Sequence, residues 1–101
     1  MPAVARKAGA DSVATNHGCA GSTVTDQGSS NVFANNIGVV RADDLDAVHT
    51  HPVGDSCPPH QVPLSSYSSN VFANNKLIGR EGDSYSGETI TSGSPNVFAN
   101  S

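Results

Sequence analysis

The phrase SSNVFANN stands at residues 29–36 and again, letter for letter, at 68–75, and a near-copy, SPNVFANS, occupies 94–101. Three copies of one eight-residue phrase in a chain of 101 residues constrain its architecture more than any other feature. In each copy the strand-formers Val and Phe are bounded by Ser on one side and Asn on the other, the punctuation of a short strand running into a turn. In the first copy Asn35-Asn36 sits where a two-residue hairpin loop belongs, and the apolar IGVVR follows; in the second, Asn74-Asn75 is followed by KLIGR. A type I′ turn needs positive φ at both central residues, which Asn tolerates best after Gly. Both stretches are therefore expected to form β-hairpins. The third copy reaches Asn100 and Ser101 with no return strand, so a sheet edge is expected there, closed by another part of the chain or by a partner. The copies start at 29, 68 and 94, too unevenly for a regular solenoid. Three imperfect copies with unequal insertions suggest a closed, pseudo-threefold object instead.

The length allows one domain over 1–101. Only 36% of the residues are apolar, with three Phe, two Tyr and no Trp, so the core is thin. Chains of this kind often need a metal, a disulfide or a partner. Ten Gly, six Pro and many Ser, Thr and Asn favour short strands and turns, and the fold class is all-β. One segment, RADDLDAVHTH, offers a short helical turn through Leu45 and Val48, or a polar connection. A net charge of −4 gives no basic patch for nucleic acid. No run approaches the roughly 20 apolar residues of a membrane span, and no charged, then apolar, leader opens the chain.

Chemistry concentrates in AVHTHPVGDSCPPHQV. Cys57 and His60 form a C-x2-H pair on a tight Pro58-Pro59 turn, a spacing that lets two side chains converge on one ion. His49 and His51 stand upstream, and His17 in NHGC offers another nitrogen. Imidazole and thiolate donors together favour zinc over calcium or magnesium. Competing readings are solvated loop histidines, Cys57 as a small buried hydrophobe, and a Cys19–Cys57 disulfide. An enzymatic reading with Cys57, a neighbouring His and Asp55 lacks a scaffold large enough for a pocket, so no catalytic residue and no enzyme activity are expected.

Several ordered phrases resemble one family. The opening MPAVARKAGADS is similar to the MPAAARxGD start of PAAR-repeat proteins. SGSPNVFAN at 92–100 is close to their SGSPTVFVNG phrase, and LIGREGDS at 77–84 resembles their PVARVGD continuation. The resemblance runs from Met1 to Ser101 and includes NHGC and HTHPVGDSCPPH, with NVFAN and NHGC nearer the version of T4-like phages. It departs where NG turns become NN, where the first ARxGD lengthens to ARKAGAD and where the middle one becomes VVRADD.

The resemblance implies a small cone-shaped β-structure that caps the blunt end of a trimeric β-helical spike, VgrG-like or a phage central spike. Such a tip sharpens type VI secretion spikes and contractile phage tails and pierces the target outer membrane. It would act in the virion tail baseplate, or wait in the bacterial cytoplasm before secretion. Three similar hairpins in one chain would meet three identical subunits, each pairing with an exposed sheet edge. The family's zinc site near the vertex, three His and one Cys, maps onto His17, His49, Cys57 and His60, with one zinc ion per chain. His51 is the alternative to His49, and Cys19 is an outside candidate. Phe33, Phe72 and Phe98 are expected to be core or base contacts, and no fused toxin domain is expected. Two other classes stay open: a free-standing zinc-binding interaction module, and a homotrimeric spike tip that holds iron through H-x-H motifs such as His49-Thr50-His51.

Overall fold

The computed structural model describes residues 1–99. Ten short strands follow one another: β1 (Ser12–Ala14), β2 (Ser22–Val24), β3 (Phe33–Ala34), β4 (Ile37–Gly38), β5 (His49–Thr50), β6 (Pro59–His60), β7 (Phe72–Ala73), β8 (Lys76–Leu77), β9 (Ser84–Tyr85) and β10 (Glu88–Ile90). No helix occurs among the described residues, and the segment around Leu45 and Val48 is bridged backbone leading into β5.

Both NVFAN hairpins form as expected. Ala34 faces Ile37 and Phe33 faces Gly38 across β3–β4; Ala73 faces Lys76 and Phe72 faces Leu77 across β7–β8. The turn residues Asn35 and Asn36 have φ of 56° and 65°, and Asn74 and Asn75 have 56° and 66°, the left-handed conformations a type I′ loop demands. The third copy is closed by the chain itself. Phe98 bridges Ala3, the Val4 amide donates to the Val97 carbonyl, and the Ala99 amide donates to that of Pro2. Asn100 and Ser101 of that copy lie outside the described residues. The N-terminal PAVAR thus supplies the return strand that IGVVR and KLIGR supply to the other two copies.

These three return strands meet around an axis. Arg6 bridges Val39, Arg41 bridges Ile78 and Arg80 bridges Val4. At the next position inward, the Ala5 amide donates to Gly79, the Gly79 amide to Val40 and the Val40 amide to Ala5, which closes a ring of three hydrogen bonds. Each sector then turns on an arginine–aspartate clamp. In all three the Arg backbone N–H and Nε donate to one Asp oxygen and Nη2 to the other: Arg6 with Asp11, Arg41 with Asp44, Arg80 with Asp83. The two-residue insertion in ARKAGAD is absorbed in the turn between Arg6 and Asp11. In VVRADD, Asp43 takes the positive φ (71°) that Gly82 takes (93°) in REGD. Departures in the letters leave the threefold bonding intact.

Alternation along the return strands builds two cores, because successive side chains point to opposite faces. Val4, Val39 and Ile78 pack with Ala34, Ala73 and Ala99 on the hairpin side. Ala5 and Val40 pack with Val13, Leu64, Tyr85 and Ile90 on the other. Beyond that second core the threefold pattern gives way to a four-stranded antiparallel sheet, in the order β2-β1-β10-β9, and to the hairpin β5–β6. The molecule is elongated, 40 × 23 × 21 Å.

Candidate metal centre

Beyond the second core, four segments bring their polar residues together. β5 and β6 are antiparallel with His49 directly opposite His60, so two imidazoles leave neighbouring strands at one point. His17 comes from the β1–β2 loop, and Glu88 opens β10 beside it. The Nε2 atoms of His17, His49 and His60 lie 2.6, 2.7 and 3.3 Å from one oxygen, Oε2 of Glu88. One donor atom from each of the four residues falls within 4.8 Å of every other. His49 and Glu88 are buried, and His17 and His60 partly so.

Hydrogen bonding behind the rings sets their tautomers. His17 Nδ1 is 2.8 Å from the Gly18 carbonyl oxygen, and His49 Nδ1 is 2.8 Å from that of Ala47. A carbonyl oxygen only accepts, so each Nδ1 carries a proton. A neutral ring then directs its Nε2 lone pair at the carboxylate, and the contact is attractive only with a second proton on the ring or a cation between the groups. Doubly protonating three rings whose centroids are 4.8–5.6 Å apart sets three positive charges together. Each like-charged pair costs about 3 kcal/mol at an effective dielectric near 20. A single metal ion satisfies all four groups without that repulsion, and Nδ1–H bound to backbone carbonyl is the usual support of a ligating His.

A second carboxyl stands behind Glu88. Asp46 is wholly buried and its Oδ1 accepts from the Val62 amide. Its pKa is pushed up to about 7, first by burial and then by its hydrogen bond with Glu88. Burial raises the Glu88 pKa, but hydrogen bonds from Asp46, His49 and His17 outweigh it, and the net shift is downward. The pair is therefore one acid and one carboxylate, with the negative charge on Glu88 among the imidazoles. Burial of the His49 ring lowers its pKa, while the Ala47 carbonyl and Glu88 raise it further, to a net upward shift.

His17, His49 and His60, proposed as ligands from the sequence, converge. Cys57 does not join them: it is bonded to Cys19, and a disulfide sulfur is not the thiolate that binds metal. The place expected for Cys57 is taken by Glu88. His51 lies outside the converging set, its ring stacked on His60 (centroids 4.4 Å) and edge-on to His17 (4.4 Å). Its pKa is lowered, first by burial and then by repulsion between a charged His51 and the neighbouring imidazoles His17 and His60. Sequence reasoning missed Glu88 and Asp46. A signal for the first was present: in Glu88-Thr89-Ile90, period-two alternation puts a carboxylate on the same buried face as Ile90. No protein-family model matches the chain, and neither does any curated protein.

Proposed function

We propose that the chain is the sharpened tip that caps the trimeric β-helical spike of a contractile injection machine, a phage baseplate or a type VI secretion apparatus, and helps it pierce the target outer membrane. The observation that carries this reading is the threefold equivalence of the three hairpins within one chain. A closed ring of hydrogen bonds joins their return strands, and each sector presents one phenylalanine: Phe33, Phe72 and Phe98 are 57%, 60% and 50% exposed. Large aromatics left half-exposed at equivalent positions favour a partner that covers them. A partner with three identical subunits meets three near-identical surfaces, which removes the mismatch between one chain and a trimer.

The mechanical role follows from the layering. The metal group lies on the far side of the second core from the Phe-bearing hairpins. Few residues remain there to form a core, so a metal ion tying the β1–β2 loop, β5, β6 and β10 supplies rigidity that apolar contacts do not. We assign zinc to that position, on the imidazole-rich donor set.

The test is complex formation with a panel of trimeric β-helical spike proteins, VgrG-like and phage-type, followed by native mass measurement. One chain per spike trimer is expected, with binding lost in the triple variant Phe33→Ala, Phe72→Ala, Phe98→Ala while the free protein keeps its fold. Absence of a complex with every spike overturns the capping role and leaves a metal-binding interaction module.

A further inference from the structure

We propose that the third sector carries a binding site for one lysine side chain of a partner protein, in a cleft between the N-terminal strand and the turn at Glu81. The site takes one copy of its partner per chain. It rests neither on the capping role nor on the metal centre.

The threefold pattern supplies the argument. Lys7, Ala42 and Glu81 follow the three clamped arginines, and their amides donate to the carbonyls of Gly38, Leu77 and Ala3, each at 2.8 Å. Those acceptors stand opposite Phe33, Phe72 and Phe98 in turn. The three places are equivalent in backbone and different in side chain. In the first sector the strand residue is a glycine and the Lys7 stem covers it: a Cβ at Gly38 would come 2.8 Å from Lys7 Cε and 3.0 Å from Lys7 Cδ. In the second, Leu77 occupies the strand position and the residue beside it is only Ala42. In the third, the strand residue is the short Ala3, and Glu81 is exposed. An open cleft of about 450 Å³ remains there, lined by Met1, Pro2, Ala3, Ile90, Phe98 and Glu81 among others.

The lining selects the occupant. Glu81 is its only charged side chain, and it makes no ion pair among the described residues. An apolar wall that ends in one unpaired carboxylate matches lysine, whose methylenes lie along apolar surface while the ammonium stays at the wet rim. The first sector shows the same backbone position covered by such a stem, supplied there by Lys7. An acidic side chain is repelled by Glu81, and a purely apolar one leaves the carboxylate without a partner. The net charge of −4 adds a longer-range attraction for a basic segment. A trimer offers every contact three times. A cleft that Lys7 and Leu77 leave to one sector alone suits a partner that docks as a single copy, through a loop or tail that presents lysine.

Titration of the isolated chain with the capped tripeptide acetyl-Gly-Lys-Gly-amide, followed by backbone amide chemical shifts, tests this. Saturable shifts are expected at Ala3, Glu81, Gly82, Ile90 and Phe98, and none at Lys7 or Ala42. Capped tripeptides with glutamate or norleucine in place of lysine are expected to bind more weakly. Glu81→Gln is expected to weaken binding about fivefold, the range of one exposed ion pair. Glu81→Lys, which copies the first sector, is expected to abolish it. Both replacements fall on an exposed side chain outside the Arg80–Asp83 clamp, so the fold is kept. Equal binding of the norleucine peptide, or unchanged binding in Glu81→Gln, overturns the proposal. So does the absence of saturable shifts, whether the cleft takes no ligand or another part of the chain fills it.

Discussion

At the scale of single residues, one carboxyl pair governs the chemistry of the site. Asp46 keeps its proton in the folded, metal-free protein up to about pH 7, whereas the unfolded chain releases it near 3.8. Between those values the folded state holds the extra proton, so its stability falls as pH rises through the window. The raised His49 pKa acts in the same direction, since its contribution is full below 6.5 and is lost as pH rises. Glu88, lowered, loses its contribution only as pH falls below 4.5, at the acid end of the window and away from the range above pH 5. Asp46→Asn removes the titration and keeps a donor for Glu88. The metal-free variant should therefore show a flatter decline in urea midpoint from pH 5 to pH 8 than the wild-type protein; equal slopes would refute the shared-proton arrangement. None of this was legible in the sequence. Asp46 sits in a polar run, RADDLDAV, that gives no hint of burial, because its partners are distant in sequence: Val62, just after β6, and Glu88 at the start of β10.

Among the elements, the hairpins were legible and their closure was not. Asn-Asn between Val-Phe-Ala and an apolar run specifies a two-residue turn by backbone chemistry alone, and both turns formed in the expected register. That PAVAR completes the third hairpin is a contact between the two ends of the chain, and nothing local announces it. The axis shows why the return strands differ in sequence while bonding alike. Equivalent positions carry Ala5, Val40 and Gly79, one large side chain among two small ones, and a Cβ at Gly79 would come 2.8 Å from Leu64 Cδ2 and 3.4 Å from Val40 Cγ1. Only one valine fits on the axis. Making the ring more symmetric with Gly79→Val should thus destabilise the protein by about 1–3 kcal/mol through overpacking, read as a lower urea midpoint. An unchanged or raised midpoint would mean that the axis has space the structure does not show. The candidate metal ligands fall between these cases. His17, His49 and His60 were recognisable as imidazoles gathered near one cysteine, but the fourth ligand was not, since the spacing that suggested Cys57 cannot tell a thiolate from half of a disulfide.

For the molecule as a whole, the account rests on one chain carrying all three sectors and every residue of the candidate metal site. The repeats made the threefold character visible before any coordinates, because identical phrases form identical hairpins. The way the symmetry ends did not show, since residues 12–24, 49–60 and 84–90 have no shared phrase and build a sheet and a hairpin that differ from one another. A homotrimeric tip with H-x-H ligands from three chains would need the threefold axis to lie between chains, whereas here it passes through the ring of Ala5, Val40 and Gly79 in a single one. The most direct measurement is the native mass of the protein purified in zinc-replete medium, with elemental analysis of the same sample. The account predicts a monomer of 10.3 kDa carrying one divalent ion and an intact Cys19–Cys57 disulfide. A homotrimer sharing one ion, or a monomer that takes up none, would contradict it.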